Sequence, residues 1–372
     1  MTRQEEIVLA RMATMRSKLD VFEVSAMREL RKQYKSLVKS LLKDIKAARG
    51  KSARLWTNTR LIALLEEAQL MHDTISNTIA ESSEQVIVEA GAYSYGQMNA
   101  ITSWDGKVNG FNNIALTTAQ MSALITDQAL GGKVLKDWIG DALRPDIDSI
   151  KSEIAKGYIR GEGYAKIVSR LQNELGIPLG SKKYRDLDSI VKTYIQSMNV
   201  KAQQDVYEAN KEYIPRVEWT ALMENGNVKT GRGTCPRCMA LDGKQWPTDD
   251  RDRPPCPLHV RCRCMLYPVS LTWRELGLDV DEMEQSYKGW TIRDEKGKLK
   301  EWGTIDGNYY DWWKTRSKAF QDAAIGPNRA ELVRSGEVNF ADLVDNKGNL
   351  INIKDLETKS FTIPEPTLYG HN

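Results

Sequence analysis

Cysteine and histidine are scarce in this 372-residue chain, which holds five of the first and three of the second. No cysteine falls outside residues 235–264. An odd, clustered set does not suit a disulfide framework, because one thiol is left over. A run of about 18 apolar residues, the minimum for a membrane-spanning helix, is absent. So is an apolar N-terminal signal segment, which implies synthesis in a cytoplasm that keeps thiols reduced. Neither sign of charge dominates: 53 Lys and Arg stand against 50 Asp and Glu, net +3. The chain as a whole is therefore no polycation.

Signatures of catalysis are lacking as well. There is no nucleophile-elbow serine. Gly161-Glu-Gly163 and Gly231-Arg-Gly233 are too short for a phosphate loop, and no Gly-Lys-Ser/Thr follows them. His72 sits in a helical stretch and His371 beside the terminus. Asp249 with Asp250, or Asp279 with Asp281, could bind a hard cation, but such pairs read better as solvated turns. The expectation is a binding or assembly protein, not an enzyme.

The cysteine segment reads Cys235-Pro-Arg-Cys238, a loop, then Cys256-Pro-Leu-His259-Val-Arg-Cys262-Arg-Cys264. Two short turns each offer a ligand pair with two residues between, and zinc favours four thiolate or imidazole donors in a closed tetrahedron. The expected set is Cys235, Cys238, His259 and Cys262, holding one structural Zn2+ per chain. Cys264 is an alternative to Cys262, although in an extended segment the two side chains would face opposite ways. Cys256 is a further candidate. Disulfides and unligated thiols stay open as alternatives, while the histidine and irregular spacing fit an iron–sulfur cluster poorly.

Helical periodicity dominates up to residue 212 and turn residues with tryptophan after it: seven of ten Trp lie at or beyond Trp219. The fold class is α+β, a largely helical N-terminal half followed by a small Trp-rich module stapled by its Cys/His site. Four units follow: 1–115, 116–213, 214–345 and an extended tail, 346–372. Within them, spacing predicts helices near 28–50, 54–91, 118–130, 134–143, 146–157, 161–176, 183–212, 271–276, 311–324 and 329–335, and a loop or hinge over 91–115. Strands are expected at 217–220 and 350–353. Leu299 to Trp302 pairs with Trp290 to Ile292, and Asn225-Gly226 and Asp242-Gly243 are hairpin signals.

One segment departs from charge balance. Residues 28–54 carry ten Lys and Arg against two Asp and Glu. Leu30, Tyr34, Leu37, Val38, Leu41, Leu42 and Ile45 form an apolar stripe, with Arg31, Lys32, Lys35, Lys39, Lys43 and Lys46 mostly on the other sides. Such a face is either a solvated surface or one that meets phosphate or an acidic protein ring. Tyr34 is the sole aromatic among these lysines, which favours phosphate contact over base stacking.

The cysteine pair followed by Leu241-Asp242-Gly243, then Pro254-Pro255, His259 and Cys262-Arg263-Cys264 before Pro268, resembles the phage Mu F-like minor head proteins. These form the phage head morphogenesis, or minor capsid, family. Tyr310-Asp-Trp-Trp-Lys, Ile325-Gly-Pro and Phe340-Ala-Asp-Leu-Val344 extend the resemblance, which covers roughly residues 130–345. Pro254-Pro255-Cys256-Pro257-Leu258 is longer than the family's proline pair, so Cys256 has no counterpart. The resemblance implies a virion protein in the head interior or portal region. Its implied partners are the portal protein, capsid components and packaged double-stranded DNA. A stand-alone DNA-binding protein and a metal-dependent nuclease are the other readings.

Overall fold

The computed structural model describes residues 3–47, 58–103, 106–127, 129–130, 132–160, 166, 169–171, 181–227, 233–269, 271, 287–294 and 298–359. It is α+β, with its helices concentrated in the N-terminal half and two small sheets in the C-terminal half. Residues 272–276 of the helix expected at 271–276, most of that at 161–176, and residues 360–372 of the tail lie outside the described residues.

Two 45-residue helices open the chain, α1 (Arg3–Ala47) and α2 (Asn58–Thr102). Three more follow: α3 (Thr118–Asp127), α4 (Leu135–Ile159) and α5 (Lys182–Ala209). Helix α2 is central and packs against the other four. Leu30, Tyr34 and Val38 of α1 point into this bundle, as the apolar spacing requires. Thr117 and Gln120 form reciprocal side-chain-to-backbone bonds at the start of α3, and the Ser181 hydroxyl accepts from the Tyr184 N–H to start α5.

Two expectations fail here for physical reasons. The hinge at 91–115 is helical as far as Thr102. Gly91 is not a flexible joint: a Cβ there would come within 3.0 Å of the Met121 sulfur and 3.1 Å of Met198 Cε. It lets three helices approach closely. Residues 134–143 and 146–157 are not two helices but one, α4, with Pro145 inside it. An interior proline costs about 3 kcal/mol. Ile139, Leu143, Ile147, Ile150 and Ile154 lie buried on one face of α4, at about 1.5–3 kcal/mol each, and outweigh that cost.

The C-terminal half holds two three-stranded sheets. Strand β1 (Arg216–Thr220) is central in the first, flanked antiparallel by β3 (Gln245–Pro247) and β4 (Met265–Val269). In the second, β2 (Met223–Glu224) runs parallel to β5 (Tyr287–Arg293), which forms a hairpin with β6 (Leu299–Asp306). Short helices pack on them: α6 (Pro236–Leu241), α7 (Tyr309–Lys314), α8 (Lys318–Ile325) and α9 (Pro327–Arg334). A 3-10 turn at Phe340–Leu343 and α10 (Ile353–Lys359) complete the described chain. The expected single helix at 311–324 is broken, because the Ser317 hydroxyl caps a new start at α8. The expected strand at 350–353 reduces to one bridge, Val344 to Leu350, before α10.

Among the described residues, neither Asn225-Gly226 nor Asp242-Gly243 closes a hairpin. Asn225 instead docks on β5: its amide donates to the Arg293 carbonyl at 2.9 Å and its oxygen accepts the Arg293 N–H at 2.8 Å. Gly243, with φ at +84°, turns the chain out of α6 so that β3 can pair with β1.

Trp219, Trp312 and Trp313 are fully buried. Trp290 stacks on Trp312 with centroids 5.7 Å apart, and the Arg316 guanidinium lies over Trp290 at 4.4 Å. These aromatics form the core of the second half, with cation–π attraction added.

Candidate metal centre

The first cysteine turn sits at a helix start. Cys235 is the N-cap of α6 and Pro236 its first residue, a position where the missing N–H is no loss. One turn later Cys238 points the same way and is buried. The second turn is His259-Val-Arg-Cys262, closed by the Cys262 N–H donating to the His259 carbonyl at 2.9 Å. It requires Arg261 at φ +63°, the left-handed region that non-glycine residues avoid.

Helix α5 holds that strained residue in place. The Arg261 N–H donates to Thr193 Oγ1 at 2.9 Å, and its guanidinium donates to the Arg185 carbonyl at 2.8 Å and to Ser189 Oγ. Further along α5, the Gln196 amide donates to the Cys264 carbonyl at 2.7 Å. Gln203 Oε1 then accepts the Leu266 N–H at 3.2 Å, and the Tyr207 hydroxyl donates to the Leu266 carbonyl at 3.2 Å. A polar ladder on a buried helix face thus grips the cysteine segment and β4.

The donor atoms converge. His259 Nε2 lies 3.1 Å from Cys235 Sγ and 3.3 Å from Cys238 Sγ, and the Cys238 and Cys262 sulfurs are 3.9 Å apart. A tetrahedral ion with Zn–S near 2.3 Å and Zn–N near 2.0 Å places its ligand atoms about 3.5–3.8 Å apart. A disulfide needs about 2.05 Å, and all five cysteines are free thiols. The imidazole is oriented for ligation: Nδ1–H donates to the Val260 carbonyl at 2.8 Å, which leaves the Nε2 lone pair facing the sulfurs.

Cys235, Cys238, His259, Cys262 and Cys264 can hold a metal ion. They form two overlapping triads, Cys235–Cys238–His259 and Cys238–Cys262–Cys264, with Cys238 in both. The expectation that Cys262 and Cys264 face opposite ways fails. Residue 262 closes a turn and the strand begins only at Met265, so both sulfurs approach Cys238. Cys256 belongs to neither triad; its buried thiol donates to the Cys264 carbonyl at 3.4 Å. A cavity of about 20 Å³ lies against Cys235, Cys238, His259 and Cys264, room for a single small occupant.

Electrostatics divide the donors: Cys235 and Cys262 are held low, Cys238 and Cys264 are pushed up, and His259 is raised to about 9, with burial opposing its charge and Cys235 and Cys262 favouring it. A hydrogen bond from Cys238 lowers Cys235 against the opposing effect of burial, and His259 lowers it further. Cys262 is held low by the thiols of Cys238 and Cys264. Thiolates are the form that binds metal.

Sequence reasoning passed over Asp242, beyond its place in the Leu-Asp-Gly motif. Its carboxylate is buried and accepts the Ala221 and Tyr309 N–H groups, both at 2.7 Å, and the Lys288 ammonium at 3.1 Å. Burial pushes its pKa up, while Lys288 and the two N–H groups pull it down. One side chain thereby ties the end of β1 to α6, α7 and β5. Arg263, between the last two cysteines, pairs with the buried Glu224 of β2. The ladder on α5 had a sequence signal: Thr193, Gln196, Gln203 and Tyr207 fall at core spacing on an otherwise apolar face.

The basic face of α1 is only partly as expected. Lys32, Lys35, Lys39 and Lys43 are exposed, whereas Arg31 is half-buried and the side chain of Lys46 lies outside the described ones. Among the described residues, no helix is long and apolar enough to cross a membrane. No protein-family model, no curated protein and no solved structure matches the chain.

Proposed function

We propose that the chain is a minor capsid, or head morphogenesis, protein of a tailed phage, acting with the portal in head assembly and in DNA packaging or release. It works by binding, without catalysis. The observation that carries this reading is the convergence of the motif residues shared with the Mu F-like proteins. Cys235, Cys238, His259, Cys262 and Cys264 gather at one point, and Asp242 and Arg263 tie the surrounding strands and helices to it. The ion is zinc, given thiolate and imidazole donors at tetrahedral spacing. Bound there, it cross-links two turns whose strands are too short to supply a large core. Cys235, Cys238 and His259 supply three ligands, and Cys262 or Cys264 the fourth.

Lys32, Lys35, Lys39 and Lys43 recur at spacings of three and four along one exposed side of α1, which favours a second reading, a stand-alone DNA-binding protein. The two readings separate in one experiment. The full chain, co-expressed with the portal protein of its phage, is purified through a tag on the portal, with and without nuclease. Co-purification that survives nuclease supports the portal reading. Association that disappears with nuclease, or that Lys35→Glu, Lys39→Glu and Lys43→Glu abolish only on DNA, supports the other. Binding to neither portal nor DNA overturns both.

A further inference from the structure

A tetrahedral zinc uses four donors, and the cluster holds five. Cys235, Cys238 and His259 supply three of them, so one of Cys262 and Cys264 is always left over. That sulfur is not a stray core thiol. The sulfurs of Cys238, Cys262 and Cys264 lie within 4.8 Å of one another, and those of Cys238 and Cys262 are 3.9 Å apart. Whichever of the pair completes the zinc set, the other sits against two of its sulfurs.

Three observations give this second triad a character of its own. All its donors are sulfur, whereas the first triad contains the imidazole. It is closed to water: Cys238, Cys262 and Cys264 are each 2% exposed, while Cys235 is only half-buried. Its backbone is also fixed from outside. The Cys264 carbonyl accepts the Gln196 amide at 2.7 Å and the Cys256 thiol at 3.4 Å, and the Cys262 N–H donates to the His259 carbonyl at 2.9 Å. The sulfurs are thus placed before an ion arrives, which lowers the cost of binding one.

The donor set selects the ion. No fourth Cys, His, Asp or Glu among the described residues joins this triad. Burial this deep does not admit a water as the fourth ligand. A second zinc, which favours four donors, is poorly served. A soft monovalent ion is satisfied by three sulfurs, and Cu(I) is the ion of that class that thiolates select. Charge points the same way. Zinc with three thiolates and an imidazole is already anionic. A further buried thiolate adds to that charge, and a monovalent cation cancels the addition. The cavity of about 20 Å³ borders Cys235, Cys238 and His259 but not Cys262, so it belongs to the zinc position. An ion held by three sulfurs lies between them and needs no cavity of its own.

We propose, on the reading that one zinc occupies the first position, that Cys238, Cys262 and Cys264 form a second position for a soft monovalent ion of the Cu(I) class, with Cys238 bridging the two ions. Each thiol that joins the ion gives its proton to solvent, and no electron is transferred.

The test uses the full, zinc-loaded chain without oxygen. Cu(I) is supplied at one equivalent from a chromophoric Cu(I) chelator, and Ag+ serves as a redox-inert second probe. Zinc is read separately by elemental analysis of the gel-filtered protein. The chain should take up one Cu(I), or one Ag+ in a parallel sample, and keep its zinc. Cys262→Ser and Cys264→Ser should each retain one zinc, because the remaining sulfur completes that set, and bind Cu(I) at least tenfold more weakly. Cys256→Ser should bind both metals as the unaltered chain does. A zinc-loaded chain that takes no Cu(I), or that exchanges zinc for Cu(I) ion for ion, overturns the proposal. Undiminished Cu(I) binding by both serine variants does so too. A chain that retains no zinc when purified overturns instead the zinc reading on which the second position rests.

Discussion

Cys238 is the residue on which the candidate site turns. Its sulfur belongs to both donor triads and touches His259 and Cys262 directly. Cys238→Ser should therefore abolish metal retention, measured as zinc per chain after purification, whereas Cys256→Ser should leave it intact. Equal retention in both variants would remove the metal reading. Asp242 sets a different kind of limit. Exchanging its carboxylate for an amide puts N–H donors where two backbone N–H groups and Lys288 need an acceptor. Asp242→Asn should cost about 2–3 kcal/mol of stability in urea unfolding, with zinc still bound. A loss below about 0.5 kcal/mol, the range of neutral surface changes, would show that the buried knot is redundant.

At the level of elements, α5 does two jobs. One face packs in the helical bundle through Leu187, Val191 and Ile195, all buried. Another holds the second cysteine turn through Thr193 and Gln196. Metal affinity should therefore respond to a residue that touches no metal. Thr193→Val leaves the Arg261 N–H without its acceptor in a strained turn. It should weaken zinc binding about tenfold or more, as loss of outer hydrogen bonds does at other sites. Competition with a colorimetric chelator reads this directly. Unaltered affinity would mean that α5 is only a neighbour of the turn.

For the whole molecule, the bundle and the C-terminal half have different sources of stability. The bundle buries long apolar stripes on α1, α2, α4 and α5, whereas the second half relies on a Trp-rich core, buried polar knots and the cysteine turns. Removing metal with a strong chelator should open protease sites within 214–345 and leave most far-UV helical signal in place. Loss of the helical signal in step with the C-terminal half would show the two to be one cooperative unit, as the α5 ladder permits. An unchanged digest would count against a structural ion.

The chain's local pattern was sufficient for much of this. Cysteine spacing alone located both turns, because short-range geometry decides which side chains a tight turn can aim together. Apolar periodicity located α1 from residue 28 onward but not its first 25 residues, α2 as far as Gly91, and α3 and α5, since each buries a continuous stripe. The hairpin of β5 and β6 was marked by its turn residues. Tertiary structure decided the rest. Pro145 stays inside a helix because distant isoleucine contacts outweigh a local penalty. Gly91 is a packing residue because Met121 and Met198 arrive from other helices. Cys262 and Cys264 share a side because α5 holds Arg261 in a conformation that no local preference supplies. Local sequence determines what a segment can do; long-range contacts determine which of those conformations has the lowest free energy.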